Sequence, residues 1–540
     1  MTITRLLPTG LLLAALLGSA PLRAQSNATA ELMTYGDVIG DSFTAVMSGL
    51  TPGSAAILIP SLTCSGSNYL VNQTGDPDDF LTVDIDLAAG GTWFQGFADA
   101  QGRYSLTLPL QAPSSLLDAR VCWQGFTQVV PGGGPDQYQD FTNLRVMSLN
   151  EADRWQGLSD PQPEPSALVA WTVTRRGEQG GVVEYFACGG GPAVVTAPDT
   201  PYLATAAAWY YDTRDETHTR VADMSIGRAF HTATLLDDGR VLVVGGVTYG
   251  GMVGADHVTD VLDTAEIYDP ATDTWTPTPL MSRHRAGHIA IKLPDGRVLV
   301  AGGTEGNGAN QLTDVFDLLG TSLQSSEIYD PATDTWSSGP QLPEPTAGAF
   351  SVQLADGRTL CGGGITQVVI FGIPFPDFSD KGYLFDPSTL SFGNTFTLRD
   401  KRALAAATLL QDGRVLIAGG AGGDIFNIGP IWDTETWDPM TNSTTDRGNL
   451  SVKVGFSGAV TLPDGRAFFV GGAAGTLDDP IPVANTFWFD PVANTWSDGV
   501  PLTEPRAGGV VEMMEDGTVL ATGGEGSLGV SVDSAESYSP

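Results

Sequence analysis

The chain has 540 residues, 42% of them hydrophobic, so it has ample apolar material for a core and is not a disordered polymer. Its 67 glycines and 35 prolines exceed ordinary usage without reaching the low-complexity range. A formal charge of −36, from 62 acidic and 26 basic residues, argues against nucleic acid and against anionic membranes as partners, because both need a basic footprint.

The N-terminus reads MTITRLLPTGLLLAALLGSAPLRAQS. Arg5, a short apolar run over 11–17 and small residues ending at Ala24 form a secretory signal pattern, so residues 1–24 are expected to be cleaved on export. No later stretch is apolar for the 18 or so residues that a membrane helix needs. Residues 27–150 alternate short apolar runs (SFTAVMSG, SAAILIPSL, RYSLTLPL, ARVCWQGF) with turns such as TPG, AQG and PGGGP, and this predicts a β-sandwich. Residues 151–165, ending in PQPEP, read as a stiff linker.

From 166 to the end the chain is repetitive. HTATLLDDGRVLVVGG (231–246) returns as HIAIKLPDGRVLVAGG, FSVQLADGRTLCGGG, AAATLLQDGRVLIAGG, SGAVTLPDGRAFFVGG and GVVEMMEDGTVLATGG, at steps of 52 to 61 residues. Asp-Gly between two β-rich runs is a hairpin turn, since Gly accepts positive φ and Asp tolerates it. The run after it is apolar throughout, as in a strand buried on both faces. Each run closes on a glycine doublet: Gly245–Gly246, Gly302–Gly303, Gly363–Gly364, Gly419–Gly420, Gly471–Gly472 and Gly523–Gly524. These are expected to allow close backbone approach. A second element follows: AEIYDPATDTW (265–275), SEIYDPATDTW (326–336) and looser copies, ending in AESYSP. Its Asp-Pro marks another hairpin, so each unit holds four strands.

Repeated four-stranded units of this length describe a β-propeller. Arg228, His231, Gly245, Gly246, Tyr268, Asp269, Pro270 and Trp275 together resemble the kelch family, firmly over 225–540. A degenerate copy at 180–191 and 206–224 makes seven blades the preferred reading; six remain possible if 217–224 closes the ring. The last copy lacks an outer strand, which residues 143–150 are expected to supply.

In the exported protein Cys64 and Cys122 are expected to form a disulfide, while Cys188 and Cys361, equivalent in the repeat, are expected to be small buried residues. Kelch propellers include the copper-dependent galactose oxidases, which need two His and two Tyr ligands and a Cys fused to one Tyr. This chain has five histidines, none directly after a Tyr, and ends with its last blade, so neither metal nor cofactor is expected. His231 and His288 hold equivalent places and read as structural. The blade-opening Arg228, Arg285, Arg402 and Arg506 have two readings: a ring binding an anion or carboxylated sugar, as the resemblance to sialic acid mutarotases implies, or structural partners of acidic loops. The connections after the doublets are the expected binding loops, and the 365–381 connection, with Phe371 and Phe375, is the most apolar. Asp76, Asp78 and Asp79 read as a solvated turn rather than a calcium loop. The expected function is exported, non-catalytic binding of a glycan or an extracellular protein, the alternative a carbohydrate-active oxidase or mutarotase.

Overall fold

The computed structural model describes the backbone of the strands between residues 31 and 148, and residues 154–540 apart from 159–161, 163–168, 176–182, 193–200, 213–216, 254–255, 313–320, 371–372, 425–426, 477–479, 515–517 and 527–530. The expected signal peptide and the Asp76–Asp79 turn lie outside the described residues. Every regular element among the described residues is a β-strand. Two compact units are present: one contains Met1–Ala152, the other Asp153–Arg175, Val183–Asp212 and Glu216–Pro540.

In the first unit, Glu31–Tyr35, Ser42–Ser48 and Tyr104–Pro109 form one antiparallel sheet. Arg120–Val129 is the hub of a second, pairing with Ala55–Ser61, Arg145–Ser148 and Gln137–Gln139.

The second unit contains, among the described residues, seven four-stranded antiparallel sheets in succession. The sheet Thr232–Leu235, Val241–Val244, Ala265–Asp269 and Thr274–Pro277 shows the pattern. Its first turn is a three-residue loop: Leu236 N–H donates to Arg240 C=O at 2.8 Å, and Gly239 takes φ +86°. This is a type I turn followed by a left-handed glycine, which matches the twist of the two strands. The apolar second strand is explained by its two faces. Val241 and Val243 pack on the preceding sheet, with Phe186 and Tyr210, while Leu242 and Val244 pack on the following one, with Val298 and Val300. A strand alternates its side chains, so burial on both sides demands apolar residues at every position.

The same sharing recurs at each junction. Leu520, Ala535 and Met514 of the last sheet meet Tyr185 and Tyr211 of the first, so the succession closes on itself as a β-propeller. The degenerate copy is a full sheet, Ala170–Arg175, Val183–Cys188, Ala208–Asp212 and Thr217–Val221.

Two expectations are corrected. Residues 143–150 do not close the ring, because Arg145–Ser148 pairs within the first unit. The segment read as a linker over 151–165 supplies the closing strand: Arg154–Gly157 pairs with Ala535–Ser539. Trp155 is the reason. It is 3% exposed, its ring lies against Phe468 and Tyr538, and its Nε1 donates to Val500 C=O at 3.0 Å. Gln162, 4% exposed, adds a bond from Nε2 to Val532 C=O. The Pro-rich composition of the segment outweighed a single aromatic anchor in the sequence reading.

Candidate functional site

The glycine doublets are the stitches between sheets. Gly245 and Gly246 take φ of +62° and +101°. Gly246 N–H donates to Arg285 C=O of the next sheet at 2.9 Å, and a Cβ on Gly245 would stand 2.3 Å from that same oxygen. The equivalents are Gly303 to Thr346, Gly364 to Arg402, Gly420 to Val454 and Gly472 to Arg506. Only glycine supplies both the left-handed conformation and the space.

The residues bonded by the doublets include the blade-opening arginines. Arg228, Arg285 and Arg402 are 0% exposed and Arg506 is 2% exposed. Arg285 donates from Nη1 to Gly302 C=O and from Nη2 to Glu327 Oε1, both at 2.8 Å, while Glu327 Oε2 accepts from Ser282 N–H at 2.7 Å. The same pairs join Arg228 to Glu266 at 2.7 Å, Arg402 to Glu435 at 3.0 Å and Arg506 to Glu536 at 2.7 Å. Burial pulls the guanidiniums of Arg228, Arg285 and Arg402 below their ordinary value, and the partner carboxylate offsets this in part. Burial likewise raises the Glu435 carboxyl, against the pull of Arg402. The anion-binding reading of the four arginines is therefore corrected: their charges are spent inside the sheets, where no ligand reaches them.

The glutamates were missed, yet a signal existed. Glu stands second in the third strand (AEIYD, SEIYD, TETWD, AESYS) wherever Arg opens the blade. Where Thr346 or Val454 opens it, that position holds Tyr383 or Phe487.

Just beyond the arginines, the backbone forms a collar. Gly287 N–H donates to Phe230 C=O, Gly348 to Gly287, Leu404 to Gly348, Phe456 to Leu404 and Gly508 to Phe456, at 2.8–3.2 Å. All six residues have φ between +54° and +63°. Bulky residues in this region carry strain of about 1–3 kcal/mol each, held in place here by the hydrogen bonds of the ring.

Four of the connections after the doublets start beside this collar and form β-ribbons. Val247–Val253 pairs with Asp256–Val261, extended by Gln311–Leu312. Further ribbons are Ile365–Ile370 with Ile373–Phe378, Ala421–Asp424 with Asn427–Pro430, and Ala473–Gly475 with Pro480–Pro482. Neighbouring ribbons lie side by side. Phe378 and Leu404 belong to an apolar cluster with Ile365, Ala403 and Ala421 that seats the ribbon bases on the ring. Phe375 is half-buried opposite Val368, and Phe371 lies outside the described residues. Tyr249, Met252, Trp432 and Ile481 are exposed on or beside the ribbons. The Tyr249 hydroxyl and His257 Nδ1 are 2.9 Å apart.

The histidines are dispersed. His231 lies against Cys188 with Nε2 3.1 Å from its carbonyl, and His288 Nε2 is 2.9 Å from Thr232 Oγ1. Burial drives His231 down to about 3 and His288 well below its ordinary value, with the nearby arginines adding to the effect, so both imidazoles are neutral braces between sheets. Cys188 and Cys361 are buried free thiols, pushed up by burial and therefore inert. The expected Cys64–Cys122 disulfide lies outside the described residues: Cys64 is not described, and Cys122 is a backbone position on Arg120–Val129.

The Kelch motif model matches residues 228–282, which span one sheet, Thr232–Pro277. Residues 228–282 therefore carry a Kelch motif. Its relatives include a kelch-like protein of Aspergillus terreus, 25% identical over 49% of this chain and 56% of that one. Beta-scruin of Limulus polyphemus is 27% identical over 51% of this chain and 28% of its own length, and a galactose oxidase of Gibberella zeae is 24% identical over 48% and 38%. The chain thus spans about half or less of the length of these relatives. In fold it resembles a fungal alcohol oxidase solved in complex with copper, with a TM-score of 0.50, 17% identity, and 72% of this chain and 77% of that one covered. Among the described residues no three of His, Cys, Asp or Glu converge to hold a metal ion.

Proposed function

We propose that this kelch protein is an exported, non-catalytic binding protein, secreted or kept at the cell surface or in the periplasm, whose ribbon-bearing face takes a glycan or an extracellular protein. The observation that carries the reading is the set of ordered ribbons seated on a collar of backbone hydrogen bonds. A rigid base presenting extended strands and exposed aromatics is suited to recognition, because little ordering entropy is lost on binding. The disulfide Cys64–Cys122 and cleavage after Ala24 belong to the same proposal.

Screening purified full-length protein on a glycan array and against surface proteins of the same cell tests it. Saturable binding without turnover supports the proposal; absence of any ligand overturns it. N-terminal sequencing of the exported chain tests the cleavage. A second reading, a carbohydrate-active enzyme of oxidase or mutarotase type, is favoured by the similarity to galactose oxidase. Stoichiometric copper together with the mass of a Tyr–Cys crosslink would establish the oxidase and displace the binding reading.

A further inference from the structure

We propose that Trp432 and Lys453 form a subsite for an acidic sugar residue, carboxylated or sulfated, on the ribbon face. The inference rests on the binding function proposed above and assigns it a place and a ligand class.

Trp432 immediately precedes the third strand of its sheet, Asp433–Asp438, and Lys453 stands one residue before the blade-opening position of the next. In the second sheet the same two places hold Asp263 and His284, whose Oδ2 and Nε2 stand 3.6 Å apart. In the fifth sheet an indole replaces the acid, and the Lys453 ammonium lies 5.0 Å above the ring centroid. The chain has four lysines. Lys292 pairs with Asp237 at 2.6 Å, Lys381 with Asp380 at 3.7 Å and Lys401 with Asp377 at 2.5 Å. Among the described residues Lys453 alone has no carboxylate within reach, although the chain carries a net charge of −36.

Both side chains are exposed, Trp432 at 42%. Their backbone is fixed: Leu450 N–H donates to Trp432 C=O and Ile431 N–H to Gly420 C=O, both at 2.9 Å. With the Asn449 amide turned so that its oxygen faces the indole, Oδ1 accepts from Trp432 Nε1 at 3.3 Å. An exposed indole on a fixed backbone is a costly surface to leave bare, and its rigid face suits the C–H face of a pyranose. An ammonium beside it without a counter-charge selects a ring bearing an anionic group; a neutral sugar would leave that cation unpaired. Trp432 stands two residues after the ribbon strand Asn427–Pro430, and this strand runs beside Ala473–Gly475, so the pair opens onto the face with the ribbons.

Isothermal titration of full-length protein with an oligogalacturonate and a neutral galactan oligomer of equal length tests the site. The acidic oligomer is expected to bind, and Trp432→Ala and Lys453→Gln each to weaken it roughly tenfold. Lys453→Gln should leave any binding of the neutral oligomer unchanged. Equal binding of the acidic oligomer by wild type and both variants, or no preference for acid over neutral, overturns the subsite. If a glycan array is positive while both variants keep that binding, the subsite is wrong and the ribbon-face function stands. A silent array with no titration heat removes both. Unchanged unfolding midpoints of the two exposed-site variants confirm that each is folded.

Discussion

Removing one member of a buried Arg–Glu pair is the sharpest probe of the propeller's construction. In Glu327→Ala the guanidinium of Arg285, fully buried, loses the carboxylate that stands 2.8 Å away, and Ser282 N–H loses its acceptor. A buried charge stripped of its partner typically costs 3–5 kcal/mol, and the orphaned backbone donor adds about 1 kcal/mol, so a loss of roughly 4–6 kcal/mol is expected. The protein itself offers the compensating design. In the fourth sheet Thr346 and Tyr383 occupy the two places, with Thr346 Oγ1 donating to Gly363 C=O at 2.9 Å in the role of the guanidinium. The double variant Arg285→Thr/Glu327→Tyr is therefore expected to lie within about 2 kcal/mol of wild type, because removing both charges also removes their desolvation cost. Guanidinium chloride unfolding of the full chain, read by fluorescence and by circular dichroism, measures all three proteins. A Glu327→Ala protein within 1 kcal/mol of wild type, or a double variant as unstable as the single, would refute the structural role and return the arginines to ligand binding.

Other predictions follow from the same geometry. Gly245→Ala, whose Cβ would meet Arg285 O at 2.3 Å, should lower the melting temperature far more than Gly239→Ala, where φ is +86° but nothing lies within 4 Å and the cost is about 1 kcal/mol of backbone strain. Trp155→Ala should cost roughly 3–5 kcal/mol and expose the ends of the propeller to limited proteolysis, since the closing strand loses its anchor. Burial raises the Glu512 carboxyl from 4.5 to about 7. A carboxyl raised on folding contributes fully below its unfolded value and loses that contribution as pH climbs to 7, so stability should fall by up to about 3 kcal/mol between pH 4.5 and 8. Glu512→Gln should abolish that fall, which denaturant midpoints at the two pH values will show.

Much of the fold is legible in local chemistry. Asp-Gly and Asp-Pro specify hairpins through φ preference and side-chain capping, and the apolar second strand announces burial on two sides. The role of the glycine doublets was legible only in part. Their positive φ follows from composition, but their partner, a carbonyl on the next sheet, lies some 40 residues away in the chain. The arginines were visible and their partners were not. An Arg opening a repeat says nothing of whether its charge points to solvent or to a glutamate one strand over, and the alternation of Arg–Glu with Thr–Tyr or Val–Phe becomes meaningful only once those strands are adjacent.

Residue order alone dictates the four-stranded unit, its turns and its recurrence, because each depends on neighbours within a few positions. Assembly in space decides which distant strand locks the ring, that four cations are buried as internal ties, that the long connections stand as ribbons, and that one lysine lies over one indole. Those outcomes depend on contacts between segments tens to hundreds of residues apart, where the energy comes from excluding water between surfaces that meet only when the circle is complete.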